Sequence, residues 1–131
     1  MSTPAAALRT ASYIGDVAQV TRLLNEGVDP NALDQFGRSA LTLASAAGHI
    51  VVVNALLAGG SWADPHEDYD TYETPLMAAA THGHFAIVKK LLDAGADPSF
   101  HVGVSQRTAE NYARTEGFEE IAEFLAVRTR R

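Results

Sequence analysis

The sequence has no cysteine. A disulfide framework and cysteine-ligated zinc are therefore excluded, and a reducing compartment suits the chain. Basic residues are scarce: 10 Lys and Arg stand against 16 Asp and Glu, a formal charge of −6, with lysine only at Lys89 and Lys90. Binding to a phosphate backbone needs a basic face, so no nucleic-acid partner is expected. Electrostatic complementarity instead favours a basic protein surface. Long apolar runs are also missing. The longest, Ile50 to Gly60, is interrupted by Asn54 and falls short of the roughly 20 residues a membrane-spanning helix needs. The opening MSTPAAALRTASYIGD has neither a basic start nor an apolar core, so no secretory leader is expected and a cytoplasmic location is the default. The preference for Arg and Ala over Lys points to a GC-rich, bacterial genome.

Signatures of chemistry are absent as well. There is no G-x-S-x-G, H-E-x-x-H, P-loop or dinucleotide fingerprint. His82 and His84 form an H-x-H pair, but side chains two apart on a helix or turn are not expected to face each other. Asp64, His66, Glu67, Asp68 and Asp70 offer oxygen-rich chemistry without the glycine and terminal bidentate Glu of a calcium loop. No catalytic residue, no metal site and no cofactor are expected. An enzyme or metal-binding protein remains a remote alternative.

What the chain does have is self-similarity. Its 131 residues, 47% hydrophobic and 20% charged, have the size and profile of one globular domain. Gly15, Gly48, Gly83 and Gly117 lie 33, 35 and 34 residues apart. Ala11, Ala44, Ala79 and Ala113 precede them by four residues, and leucine pairs follow at Leu23-Leu24, Leu56-Leu57 and Leu91-Leu92, with Leu125-Ala126 last. A fixed period of this length marks a repeat array, in which each unit buries its apolar face only by stacking on its neighbours.

Within the clearest copy, Thr74 can cap a helix, Pro75 suits its first turn, and Leu76, Ala79 and Ala80 share a face. Gly83 provides a turn, and Ile87, Val88, Leu91 and Leu92 form the stripe of a second helix that Gly95 ends. The segment TPLMAAATHGHFAIVKKLLDAGADPS, Thr74 to Ser99, resembles the ankyrin repeat, whose hallmark is T-P-L-H-x-A at a 33-residue period. Ser39 to Gly60 is a second copy, and degenerate first and fourth copies suit capping repeats. The resemblance implies an all-α ankyrin-repeat solenoid of about four stacked helix-turn-helix units with short hairpin fingers, in a single domain over 1–131. The repeats fall near 5–33, 34–68, 69–102 and 103–131. No copy keeps the hallmark His, whose place is taken by Arg9, Thr42, Met77 and Asn111. Glu110 replaces the expected Leu, and Glu116, Glu119, Glu120 and Glu123 mark a polar terminal cap. His49 and His84, after the turn glycines, are expected to be structural.

The resemblance further implies a protein-protein interaction module, monomeric, that docks a partner protein on its concave face and fingers. Carried over by position, the candidate binding residues are Tyr13 and Ile14, Phe36 and Arg38, then Trp62, His66, Asp68, Tyr69, Asp70, Tyr72, Glu73 and His82 around the middle finger, and Arg107. That finger carries a two-residue insertion within Ser61 to Glu73, and residues 64–73 hold five acidic side chains with no Lys or Arg. Aromatics interleaved with acids suit a basic partner surface. A more specific alternative is an inhibitor or immunity-type protein that blocks a toxin or enzyme.

Overall fold

The computed structural model describes residues 3–64, 73–101 and 106–129. Eight helices follow one another in four pairs: α1 (Pro4–Ile14) and α2 (Val17–Asn25), α3 (Ala40–Ala47) and α4 (Ile50–Ala58), α5 (Pro75–Thr81) and α6 (Phe85–Asp93), and α7 (Ala109–Thr115) and α8 (Glu119–Thr129). The first helices of the pairs stack side by side in the order α1, α3, α5, α7, and α2, α4 and α6 form a second row behind them. This is the all-α repeat solenoid expected from the sequence. No described residue lies in a strand, and no helix among them is long and apolar enough to cross a membrane.

Local chemistry sets the helix starts. Thr3, Ser39 and Thr74 each accept a hydrogen bond from the N–H three residues on, at 3.1 Å in all three cases, which satisfies one of the orphan donors of a first turn. Pro4 and Pro75 occupy the first helical position, where a missing N–H costs nothing. In the fourth pair Asn111 reaches back to accept from the Thr108 N–H at 2.9 Å. The inner helices are rich in alanine because they have neighbours on both sides: every residue of α5 from Pro75 to Ala80 is buried. The outer helices are amphipathic, as in α6, where Ile87, Val88 and Leu91 are buried beside the exposed Lys89 and Lys90.

Consecutive pairs are joined by a recurring contact. The His49 ring stands against Gly15 and its Nε2 lies 3.0 Å from the Tyr13 carbonyl oxygen. One repeat later His84 stands against Gly48, with Nε2 3.0 Å from the Ala46 carbonyl oxygen. Phe118 takes the same place over Gly83. These glycines have φ between +76° and +88°, and a Cβ on any of them would come within 2.8 Å of the ring above it. Both histidines thus have the structural role expected. A second tie runs along the opposite ends of the pairs. Asn31 Oδ1 accepts the Trp62 N–H at 2.8 Å, and Asp64 Oδ2 accepts the Asp97 N–H at 2.8 Å.

The four substitutes for the hallmark His each find local work. Arg9 Nη1 donates to the Ala32 carbonyl, Thr42 is buried with its hydroxyl 3.2 Å from that of Ser39, Met77 fills the core, and Asn111 closes a helix start. At the far end the unexpected Glu110 pairs with Arg114 at 3.0 Å, and Glu119 and Glu123 lie 2.8 and 3.5 Å from the same guanidinium.

Leu56 and Leu91 are fully buried. Truncating either to Ala should cost about 2–5 kcal/mol in chemical denaturation, through lost burial and the cavity left behind. Gly48→Ala and Gly117→Ala both force a Cβ onto a positive φ, but nothing lies within 4 Å of the Gly117 position. Gly48→Ala should therefore be the more damaging, by about 1 kcal/mol or more, and denaturation of the two variants side by side measures the ring contact alone.

Candidate functional site

The turn between the first two repeats is built around one carboxylate. Asp34 Oδ1 accepts the N–H groups of Phe36 and Arg38, both at 2.9 Å, and Oδ2 accepts Arg38 Nε at 3.0 Å. The backbone closes on itself through Asp34 N–H to the Arg38 carbonyl at 2.9 Å, with Gly37 at φ +74°. Burial pushes the Asp34 carboxyl up, but the N–H groups of Arg38 and Phe36 and the Arg38 guanidinium outweigh it and hold the group below its ordinary range. The folded turn lifts Phe36 into solvent with 54% of its surface exposed, and the Arg38 guanidinium lies 5.1 Å from its ring centre.

This turn faces the end of α1. Between them lies an open cleft of about 380 Å³, to which α1 contributes Ala6, Arg9, Thr10 and Tyr13, α3 contributes Leu43, and the turn contributes Asp34 and Arg38. Tyr13 and Ile14 are 59% and 65% exposed. Tyr13 and Arg38 meet in the cleft, Phe36 stands at its rim through Arg38, and Ile14 lies round the helix beside Ala7 and Gln19. Glu73, half-buried, extends the group toward the third repeat. Burial raises its pKa, and the nearby His82 and Arg38 offset only part of that rise.

The remaining candidates are placed differently. Trp62 is half-buried and its N–H serves the tie to Asn31. His82 is exposed, and its ring centre lies 6.4 Å from that of His84. Helical spacing argued that these two rings would not face each other. They approach because Gly83 between them takes φ +76° and breaks the helical geometry. His84 Nε2 is already occupied by the Ala46 carbonyl, and among the described residues no group of three or more His, Asp or Glu could hold a metal ion. Arg107 sits at the other end of the array, 4.3 Å from the Tyr112 ring centre and bonded to Thr115. His66, Asp68, Tyr69, Asp70 and Tyr72 lie outside the described residues.

Five cleft residues were not among the sequence candidates: Ala6, Arg9, Thr10, Asp34 and Leu43. Arg9 could have been found as the residue one turn before Tyr13 on the same helical face. Asp34 carries the signal of an Asx turn, an Asp two residues before the N–H it accepts. Leu43 looks like core in a linear sequence.

A family model for ankyrin repeats, in three copies, matches residues 8–101 and 61–129. The chain is an ankyrin-repeat protein. It is 34% identical over 125 residues to the mouse protein "Cyclin-dependent kinase 4 inhibitor B", with 95% of this chain and 93% of that one covered. It is 33% identical over 114 residues to mouse "Inactive serine/threonine-protein kinase TEX14", covering 85% of this chain but 8% of that protein. A third relative, "Ankyrin repeat and KH domain-containing protein mask-1" of Caenorhabditis elegans, is 39% identical over 92 residues, 70% of this chain and 3% of its own. The ankyrin chain thus spans under a tenth of the length of several relatives and nearly the whole of one. Ankyrin repeats are interaction modules in which a non-catalytic scaffold presents variable surface residues.

The raised pKa of Glu73 has a consequence for stability. A carboxylate harder to ionise in the folded state contributes stability below its unfolded pKa, and that contribution is lost as pH rises through the higher folded value. Glu73→Gln should therefore gain on the native protein as pH rises from about 4 to 7, as read by urea denaturation at several pH values. An equal difference across the range would show that the carboxyl titrates alike in both states.

Proposed function

We propose that this ankyrin-repeat protein binds a partner protein through its concave face and fingers and performs no chemistry of its own. The observation that carries the proposal is the cleft between α1 and the first finger, where Tyr13, Phe36 and Arg38 converge on a rigid scaffold. Tyr and Arg are enriched among residues that dominate interface energetics, and aromatic anchors bury large area at small entropic cost. Large side chains held in solvent at 54–65% exposure contribute little to the fold. The acidic middle finger and Arg107 are further candidate contacts in this proposal. A cytoplasmic, monomeric protein without nucleic-acid partners suits the charge of −6 and the absence of cysteine.

A second reading, in which binding blocks the activity of the partner, is favoured by one observation. The relative covered over nearly its whole length is named as a kinase inhibitor, and the match takes in 95% of this chain. The two readings separate once a partner is isolated by pull-down from the native host. An inhibitor at stoichiometric concentration abolishes an enzymatic activity of the partner, and a scaffold leaves it intact.

With the partner in hand, Tyr13→Ala and Phe36→Ala should change stability by no more than about 0.5 kcal/mol. Each should weaken binding by about 2 kcal/mol or more if it is a hot spot. Thermal melts and titration calorimetry on each variant check this. Normal binding by both, together with loss of binding in Asp68 and Tyr72 variants, would move the site to the middle finger.

A further inference from the structure

The net charge favours a basic partner, but the chemistry of the cleft has the opposite sense. Asp34 has both carboxylate oxygens engaged by the N–H groups of Phe36 and Arg38 and by Arg38 Nε, so it has little left to offer an incoming cation. The guanidinium groups are the underused partners. Arg38 has 40% of its side chain exposed, and among the described residues its Nη1 and Nη2 donate to no acceptor. Arg9 spends only Nη1, on the Ala32 carbonyl. Both guanidinium groups line one cleft that also holds Ala6, Leu43 and Tyr13 as apolar and aromatic wall, with Thr10 and the engaged Asp34 beside them. A guanidinium edge with two unused N–H donors matches a carboxylate bidentately, the geometry in which Arg is most selective. At physiological salt the Debye length is about 8 Å, so acidic groups farther away are largely screened and the local sign decides.

We propose that the cleft takes a partner segment pairing an acidic side chain with a neighbouring large apolar one. The carboxylate docks on Arg38 and Arg9, and the apolar group packs on Tyr13 and Leu43 with Phe36 at the rim. This rests on the protein-binding role proposed above and names the chemistry of its partner. Glu73, which interacts electrostatically with Arg38, competes with the incoming carboxylate and sets how tightly the segment is held.

The test is selection of a phage-displayed random dodecamer library on the full chain, with counter-selection on the Arg9→Gln, Arg38→Gln double variant. Enriched peptides should carry Asp or Glu within two positions of Leu, Phe or Trp. Resynthesised and measured by fluorescence anisotropy, they should bind the Arg38→Gln variant at least tenfold more weakly and the Glu73→Gln variant more tightly. Should the double variant unfold in a thermal melt, Arg38→Lys takes its place. It keeps the charge and loses the fork, and a several-fold loss is expected. Enrichment of Lys- or Arg-rich peptides, equal binding to the arginine variants, or no enrichment at all would overturn the proposal. The two levels separate cleanly. If the selected peptides need Tyr13 and Phe36 but not the arginines, the protein-binding cleft stands and the acidic partner falls. If they need neither pair, both fall.

Discussion

Each of the first three repeats of this protein depends on a ring from the next one resting on a glycine. His49 covers Gly15, His84 covers Gly48 and Phe118 covers Gly83. The contact works because two requirements coincide in a single residue. The turn between paired helices needs a positive φ, which glycine adopts without strain, and the approaching ring needs the space a Cβ would fill. The histidines add a polar contact to a carbonyl near the end of the preceding helix, one of the groups a helix terminus leaves unsatisfied. Phe118 keeps the packing and gives up that contact. The spacing between helix pairs, and hence the burial of the alanine-rich inner row, follows from this step.

The first and fourth repeats differ in chemistry from the two between them. Asp16 holds the place taken by His49, His84 and Phe118 in the later repeats, and it caps its own helix by accepting the Gln19 N–H at 3.1 Å. In the fourth repeat no described residue lies within 4 Å of a Cβ at Gly117, and Arg114 there gathers the half-buried Glu110 and the exposed Glu119 and Glu123 in one cluster. Exposed ion pairs contribute little stability. Their effect here is to keep a helix face polar where a buried one would be apolar. The hydrogen bond that Arg114 donates to Glu110, with Glu119 and Glu123 close by, raises the pKa of Arg114.

The cleft uses the scaffold without taking part in its core. Tyr13 and Phe36 sit at the end of one helix and the tip of one turn, positions the stacking leaves uncommitted. Their placement is nevertheless firm. Tyr13 lends its carbonyl to His49, and the turn under Phe36 is closed by three bonds to Asp34. Affinity gains from such preorganisation, because little freedom remains to be lost on binding. The opposite signs of the chain as a whole and of the unused donors in this cleft show why net charge is a poor guide to a local surface.

The period of the glycines, the capping residues before the inner helices and the apolar stripes of the outer helices were legible in the linear sequence, because each arises from interactions within a few residues. The helix pairs follow from that local code, and the exposed places of Tyr13, Ile14 and Phe36 from the resemblance to the ankyrin family. Tertiary structure decided what depends on residues far apart. Arg9 and Arg38 share a cleft only because the first finger folds back across α1, and Leu43 becomes a wall only because α3 stacks beside it. The partners of His49 and His84, 36 and 38 residues away, are likewise set by stacking. A periodic sequence states which residues repeat, and the packing of one repeat on the next determines which of them meet.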